Sequence, residues 1–126
     1  MADPHLKKGY TRIANELLEA LIRVDWNKAH KDLMFTIIRF TYGWSKKSAK
    51  LHLFSIGFMC DKSEARVSRI LSELIYLGGI IRIGKTYAIQ KDFDQWKPKK
   101  LLKHFRHKKK TYRSYPHTRK KFIRSI

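Results

Sequence analysis

Apolar side chains fall at helical spacing in three stretches of this chain and at strand spacing in one. The strongest stretch spans residues 63–78, where Val67, Ile70, Leu71, Leu74 and Ile75 form an i, i+3, i+4, i+7, i+8 stripe. Ser63 is placed as an N-cap, because its hydroxyl can accept from a first-turn amide. The pair Gly78-Gly79 supplies the stop. The opposite face of this helix carries Arg66, Arg69, Glu73 and Tyr76. Upstream, residues 13–22 predict a helix burying Ala14, Leu17, Leu18 and Leu21. After a short connection in which Asp25 or Asn27 can cap, residues 28–42 predict another, with Leu33, Met34, Ile37, Ile38 and Thr41 inward. Gly43 is expected to end it in a left-handed conformation, and Trp44 to fold back on it.

Leu51-His52-Leu53 reads as a short strand, and the apolar run 54–60 as a short helix closed by Asp61-Lys62. Gly57 is unfavourable there on propensity and is expected to permit close approach of the next helix. Beyond residue 79 the period changes to two. Residues 80–83 and 86–89 are β-prone runs joined by Gly84-Lys85, a two-residue hairpin turn. Phe93 and Trp96 are expected to dock on the fold. A short helix, a tight turn, a capped helix with early arginines and then a hairpin is the order of a winged helix-turn-helix. The predicted class is therefore mainly α with a small β-hairpin, followed by a basic C-terminal tail. Arg66 and Arg69 lie where a recognition helix presents side chains to base edges; the alternative is a solvated surface helix.

Charge sharpens this picture. The 126 residues carry a formal charge of +19, which makes physical sense if a polyanion neutralises it. Residues 1–96 hold 16 Lys and Arg and all 10 Asp and Glu, whereas the remaining 13 basic residues lie from Lys97 onward. The chain thus divides into a flexible N-terminus (1–9), a DNA-binding domain (10–96) and a basic tail (97–126). A helical turn or two is expected around Leu101, Leu102 and Phe105. Further along, Lys108, Lys109, Lys110, Arg113, Arg119, Lys120 and Lys121 are interleaved with Tyr112, Tyr115 and Phe122. Cations for phosphates and rings for bases suit nucleic acid.

One cysteine, Cys60, excludes an intrachain disulfide and fits a reducing compartment. No signal peptide or membrane span is evident, so a bacterial cytoplasm or nucleoid is the expected location. His104 and His107 are spaced i, i+3, yet no second ligand pair sits at a zinc-finger interval, and no metal is expected. Tyr112 and Tyr115 lack the surroundings of a DNA-cleaving nucleophile. Walker, Rossmann and nucleophile-elbow motifs are absent, so no enzyme activity, cofactor or small-molecule substrate is expected.

GYTRIANELLEAL at residues 9–21 and IIRFTYGWSKK at 37–47, followed by VSRILSEL at 67–74 and GGII at 78–81, resemble the N-terminal domain of phage replication protein O. This is the lambda-type origin-binding initiator family, and the likeness runs from about residue 9 to 89. The resemblance implies a winged helix that binds repeated origin sites as a dimer, with Glu64, Arg66, Ser68 and Arg69 facing the bases. Lys46, Lys47, Lys62, Ser63 and Lys85 are the candidate phosphate contacts. The family's longer C-terminal region, which engages host helicase-loading machinery, has no counterpart in these residues, where a short basic tail stands instead. The expected partners are double-stranded DNA, a second copy of the chain and host replication proteins. Alternatives are a phage transcriptional regulator of the same fold, an adaptor for an acidic host protein, or an RNA-binding protein.

Overall fold

The computed structural model describes residues 2–106. Among the described residues, α1 (Asn15–Arg23), α2 (Lys28–Thr41), α3 (Leu53–Cys60) and α4 (Glu64–Tyr76) accompany three short strands, β1 (Ser48–Lys50), β2 (Ile80–Ile83) and β3 (Thr86–Ile89), and residues 102–106 are also helical, as expected around Leu102 and Phe105. The strands form one antiparallel sheet in the order β1-β3-β2. The expected hairpin is therefore two-thirds of a three-stranded sheet. Gly84 opens its turn at φ 62, a conformation that glycine adopts without steric cost.

One core joins these elements. Leu33, Met34 and Ile37 of α2 meet Val67, Leu71 and Leu74 of α4, and Leu21, Ile56, Leu77, Ile80 and Tyr87 complete the cluster. Ser63 Oγ accepts from Arg66 N at 3.2 Å, so α4 begins on its predicted cap. Between α3 and α4 the chain turns through Asp61 at φ 58. A Cβ on Gly57 would collide with the Lys62 carbonyl and touch Val67 at 3.4 Å, so glycine lets the turn and α4 close onto α3.

Several expectations are corrected. Helix α1 starts at Asn15, leaving Ala14 extended and exposed and Leu18 only half-buried. Neither Asp25 nor Asn27 caps α2 with its side chain; both instead accept hydrogen bonds from Lys99. The left-handed residue after α2 is Ser45 at φ 56, and Gly43 lies within the 3-10 turn Tyr42–Trp44. Trp44 remains on the surface, with the Arg39 guanidinium 5.9 Å from its ring centroid. The strand expected at Leu51–Leu53 is at Ser48–Lys50, because pairing with β3 fixes the register as Ala49 opposite Tyr87. Leu51 and Leu53 are apolar because they pack against the core.

Glu73 is the largest departure. It belongs to the polar stripe of α4 by spacing, yet it is only 3% exposed. Residues 97–106 run back over the body and cover it. Lys97 N donates to Leu77 O at 2.8 Å, Trp26 Nε1 donates to Lys97 O at 3.0 Å, and Leu102 is buried in the core. Trp96 docks beside Trp26 with ring centroids 5.0 Å apart, whereas Phe93 stays at the surface.

Candidate nucleic-acid interface

The N-terminal half of α4 presents Glu64, Arg66, Ser68 and Arg69 to solvent. The guanidinium groups of Arg66 and Arg69 have no hydrogen-bond or ion-pair partner among the described residues. Two uncommitted guanidinium forks near the start of a rigid, capped helix can pair bidentately with the acceptor edge of guanine. Glu64 in the first turn also complements the positive end of the helix dipole.

A groove of about 310 Å³ separates α4 from the wing. It is lined by Glu64, Ser68 and Leu71 of α4, by Arg82, Lys85 and Tyr87 of the hairpin, and by Leu51-His52-Leu53. Lys85 is exposed at the wing tip. Its carbonyl accepts from Leu51 N at 3.0 Å, which ties the tip to the segment entering α3. Arg82 and His52 are polar residues of this groove that sequence reasoning did not single out. Arg82 Nε donates to Gly84 O at 2.8 Å, and its guanidinium carbon is 5.7 Å from the Tyr87 ring centroid. The available signal for Arg82 was its place opposite Tyr87 beside a hairpin turn; His52 carried none, since it fell in a segment assigned to a strand.

The proposed phosphate contacts do not all converge. Ser63 is exposed beside the first turn of α4, where it serves as the cap. Lys62 is committed elsewhere: its side chain is 9% exposed and its Nζ lies 3.2 Å from Asp32 Oδ2, joining the turn to α2. Lys28 reaches the same oxygen at 2.9 Å. Burial pushes the Asp32 carboxyl up, but the two lysines outweigh it and hold its pKa below the ordinary carboxylate value. Lys46 and Lys47 are exposed, but they precede Ser48, which pairs with Ala88 at the end of the sheet away from Lys85. Lys50, opposite Thr86, is nearer the wing tip.

The C-terminal half of the same stripe is closed. Glu73 Oε1 faces His30 Nε2 at 2.8 Å, while Arg106 donates from Nε to Oε2 at 2.7 Å and from Nη2 to Oε1 at 3.1 Å. His30 is buried, and its Nδ1 has no partner among the described residues, so the geometry assigns the proton to Nε2. Burial pushes the Glu73 carboxyl up; Arg106 and His30 outweigh that effect and leave its pKa lowered. Phe105 stacks on Tyr76 with centroids 4.7 Å apart. The tail residues Lys108, Lys109, Lys110, Tyr112, Arg113, Arg119, Lys120 and Lys121 lie outside the described residues. Among the described residues no cluster of three His, Cys, Asp or Glu could hold a metal ion, and no helix is long and apolar enough to cross a membrane.

A family profile described as bacteriophage replication protein O matches residues 2–96. The DNA replication protein gp18 of Salmonella phage P22 is 29% identical over 94 residues, covering 75% of this chain and 35% of that relative. Replication protein O of Escherichia phage lambda is 28% identical over 91 residues, covering 72% of this chain and 27% of its own length. The chain thus spans about a third or less of these curated relatives. No solved structure gives a significant match.

Proposed function

The chain belongs to the bacteriophage replication protein O family, and on that footing we propose that it binds duplex DNA sequence-specifically at a phage or prophage origin during initiation of replication. The observation that carries this reading is the capped N-terminal half of α4, with Arg66 and Arg69 exposed and uncommitted, while Glu64 and Ser68 of the same half line a groove against a basic wing. On this reading α4 enters the major groove and Arg66 and Arg69 approach base edges, with Glu64 and Ser68 beside them. Lys85 and Ser63 meet phosphates, which position the protein without reading sequence. Arg82 joins them from the wing. Lys46 and Lys47 can reach only a more distant stretch of backbone. The basic tail adds sequence-independent affinity. Dimeric binding to repeated sites and contact with host replication proteins belong to the same proposal. We read the chain as a binding protein and not as a catalyst.

A footprint on phage DNA followed by competition between specific and scrambled duplexes at one salt concentration tests it. Protection of iterated sites near replication genes is expected; a promoter footprint would point to a transcriptional regulator. Arg66→Ala and Arg69→Ala should each weaken specific binding by about 1–3 kcal/mol and relax preference at one base position. Lys85→Ala should weaken binding to both duplexes alike. Equal loss for both duplexes in the arginine variants would reduce α4 to a phosphate clamp and remove the origin-binding reading.

A further inference from the structure

A groove of about 730 Å³ lies away from α4's exposed arginines, between α1 and residues 93–98. Its lining combines Glu16, Glu19 and Asp25 with the apolar surfaces of Val24, Phe93 and Trp96. Asp92 and Asp94 flank Phe93 in sequence, so five of the chain's ten acidic residues lie at or beside this groove. The carboxylates of Glu16 and Glu19 are exposed, one turn apart on α1, and have no ion-pair partner among the described residues. Arg23 and Lys97 also line the groove, but the Lys97 ammonium is directed onto Tyr76, 5.1 Å from its ring centroid.

Two exposed, unpaired carboxylates beside aromatic walls, on so basic a chain, suit a basic, aromatic-bearing occupant. Residues 107–126 supply one: eight Lys and Arg, no acid, and the rings of Tyr112, Tyr115 and Phe122. The described residues also end close by. Phe105 stacks on Tyr76, and Tyr76 lies beneath Lys97 at the groove's rim. Twenty residues at about 3.3 Å each extend on the order of 65 Å, so reach is no obstacle. We propose that, in the absence of nucleic acid, the basic segment 107–126 docks in this groove of its own chain, its cations on Glu16 and Glu19 and its rings against Phe93 and Trp96.

Tethering makes weak complementarity sufficient. Tethering within one chain gives an effective concentration on the order of 1 mM, so even millimolar affinity fills the groove half the time. Surface ion pairs are individually weak, and the apolar walls supply the rest. Duplex phosphates compete for the same cations. Docking would therefore keep the segment from lesser polyanions and release it to a long duplex. The docking stands independently of the DNA reading, whereas its release by duplex rests on that reading.

Zero-length carbodiimide cross-linking of the full chain tests the docking, with an equal mixture of light and heavy isotopic protein to separate links within a chain from links between chains. Without DNA, links should join Lys108–Lys110 or Lys120–Lys121 to Glu16 and Glu19 within one chain. They should fall at least threefold in high salt. Glu16→Gln alone, which alters one exposed side chain, should also reduce the links formed at Glu19, because one docked segment serves both carboxylates. Links found only between chains would make the occupant a second copy, and links spread evenly over all exposed acids would mean no docking; either overturns the proposal. In a second arm, Glu16→Gln/Glu19→Gln should raise affinity for scrambled duplex about threefold, and less when Lys108–Lys110 are also replaced by Gln. Within-chain links alongside strictly additive DNA effects would leave the docking intact and count against the DNA reading instead.

Discussion

The two halves of one helical stripe meet opposite fates in this protein. Arg66 and Arg69 on the first half of α4 are exposed and uncommitted, while Glu73 and Tyr76 on the second half lie beneath His30, Phe105 and Arg106. Spacing alone makes these four residues equivalent. The difference is what crosses over them: nothing among the described residues at the start of the helix, and residues 105–106 towards its end. A buried carboxylate held by a guanidinium and an imidazole fixes where the C-terminal segment leaves the fold. Free guanidinium groups four and seven residues earlier remain available to a ligand.

The inner stripe shared by both halves should show the largest effect. Leu71→Ala or Leu74→Ala should cost about 2–5 kcal/mol, through lost transfer free energy plus a cavity. Both residues are at most 2% exposed between α4 and α2, and urea unfolding measures the loss. An unchanged midpoint in both would show the buried face to be misassigned.

The closed half comes next. Glu73→Ala removes both partners' acceptor and leaves His30 Nε2 buried without one, so a loss of about 2 kcal/mol is expected. Protease cleavage near residue 106 should also accelerate as the segment loosens. Site preference on DNA should be kept; if it is lost along with stability, the two halves are not separate in function.

The open half should behave in reverse. Arg66→Ala and Arg69→Ala are expected to leave unfolding free energy within about 0.5 kcal/mol of wild type, as exposed substitutions generally do. Their effect belongs to binding. A stability loss near that of Glu73→Ala would mean that these arginines are structural and that the comparison fails.

Titration gives the smallest and most specific contrast. Because the folded pKa of Glu73 is lowered, its contribution is fully present above the unfolded carboxylate value, about 4.3, and is lost as pH falls through the folded pKa. The stability gap between wild type and Glu73→Gln should stay flat from pH 7 down to about 4.5 and then close. A gap already narrowing near pH 6 would place the titration on a group other than Glu73.

Much of the architecture was legible because local rules and global packing agree along most of the chain. Ser63 caps, Val67, Leu71 and Leu74 bury, and Gly84 turns the hairpin, each through an effect within a few residues of itself. Reading failed where a partner distant in sequence took over. Asn27 and Asp25 looked like caps until Lys99 claimed their oxygens. Lys62 looked like a phosphate ligand until Asp32, thirty residues away, held it. Lys46 and Lys47 are exposed as their charge suggests, but strand register, which no local pattern showed, sets them at the end of the sheet away from Lys85.

By itself, then, the sequence determined the helix-turn-helix, the hairpin and the inner stripe of α4. Periodicity, capping and charge runs are written in neighbouring residues. Only the tertiary structure decided which half of α4 is open, which lysines are free, and that β1 completes the sheet. Those outcomes depend on contacts between residues 30, 73 and 106, or 32 and 62, or 49 and 87. No local pattern encodes such pairs, because each becomes favourable only after the core has brought its members together and removed them from water.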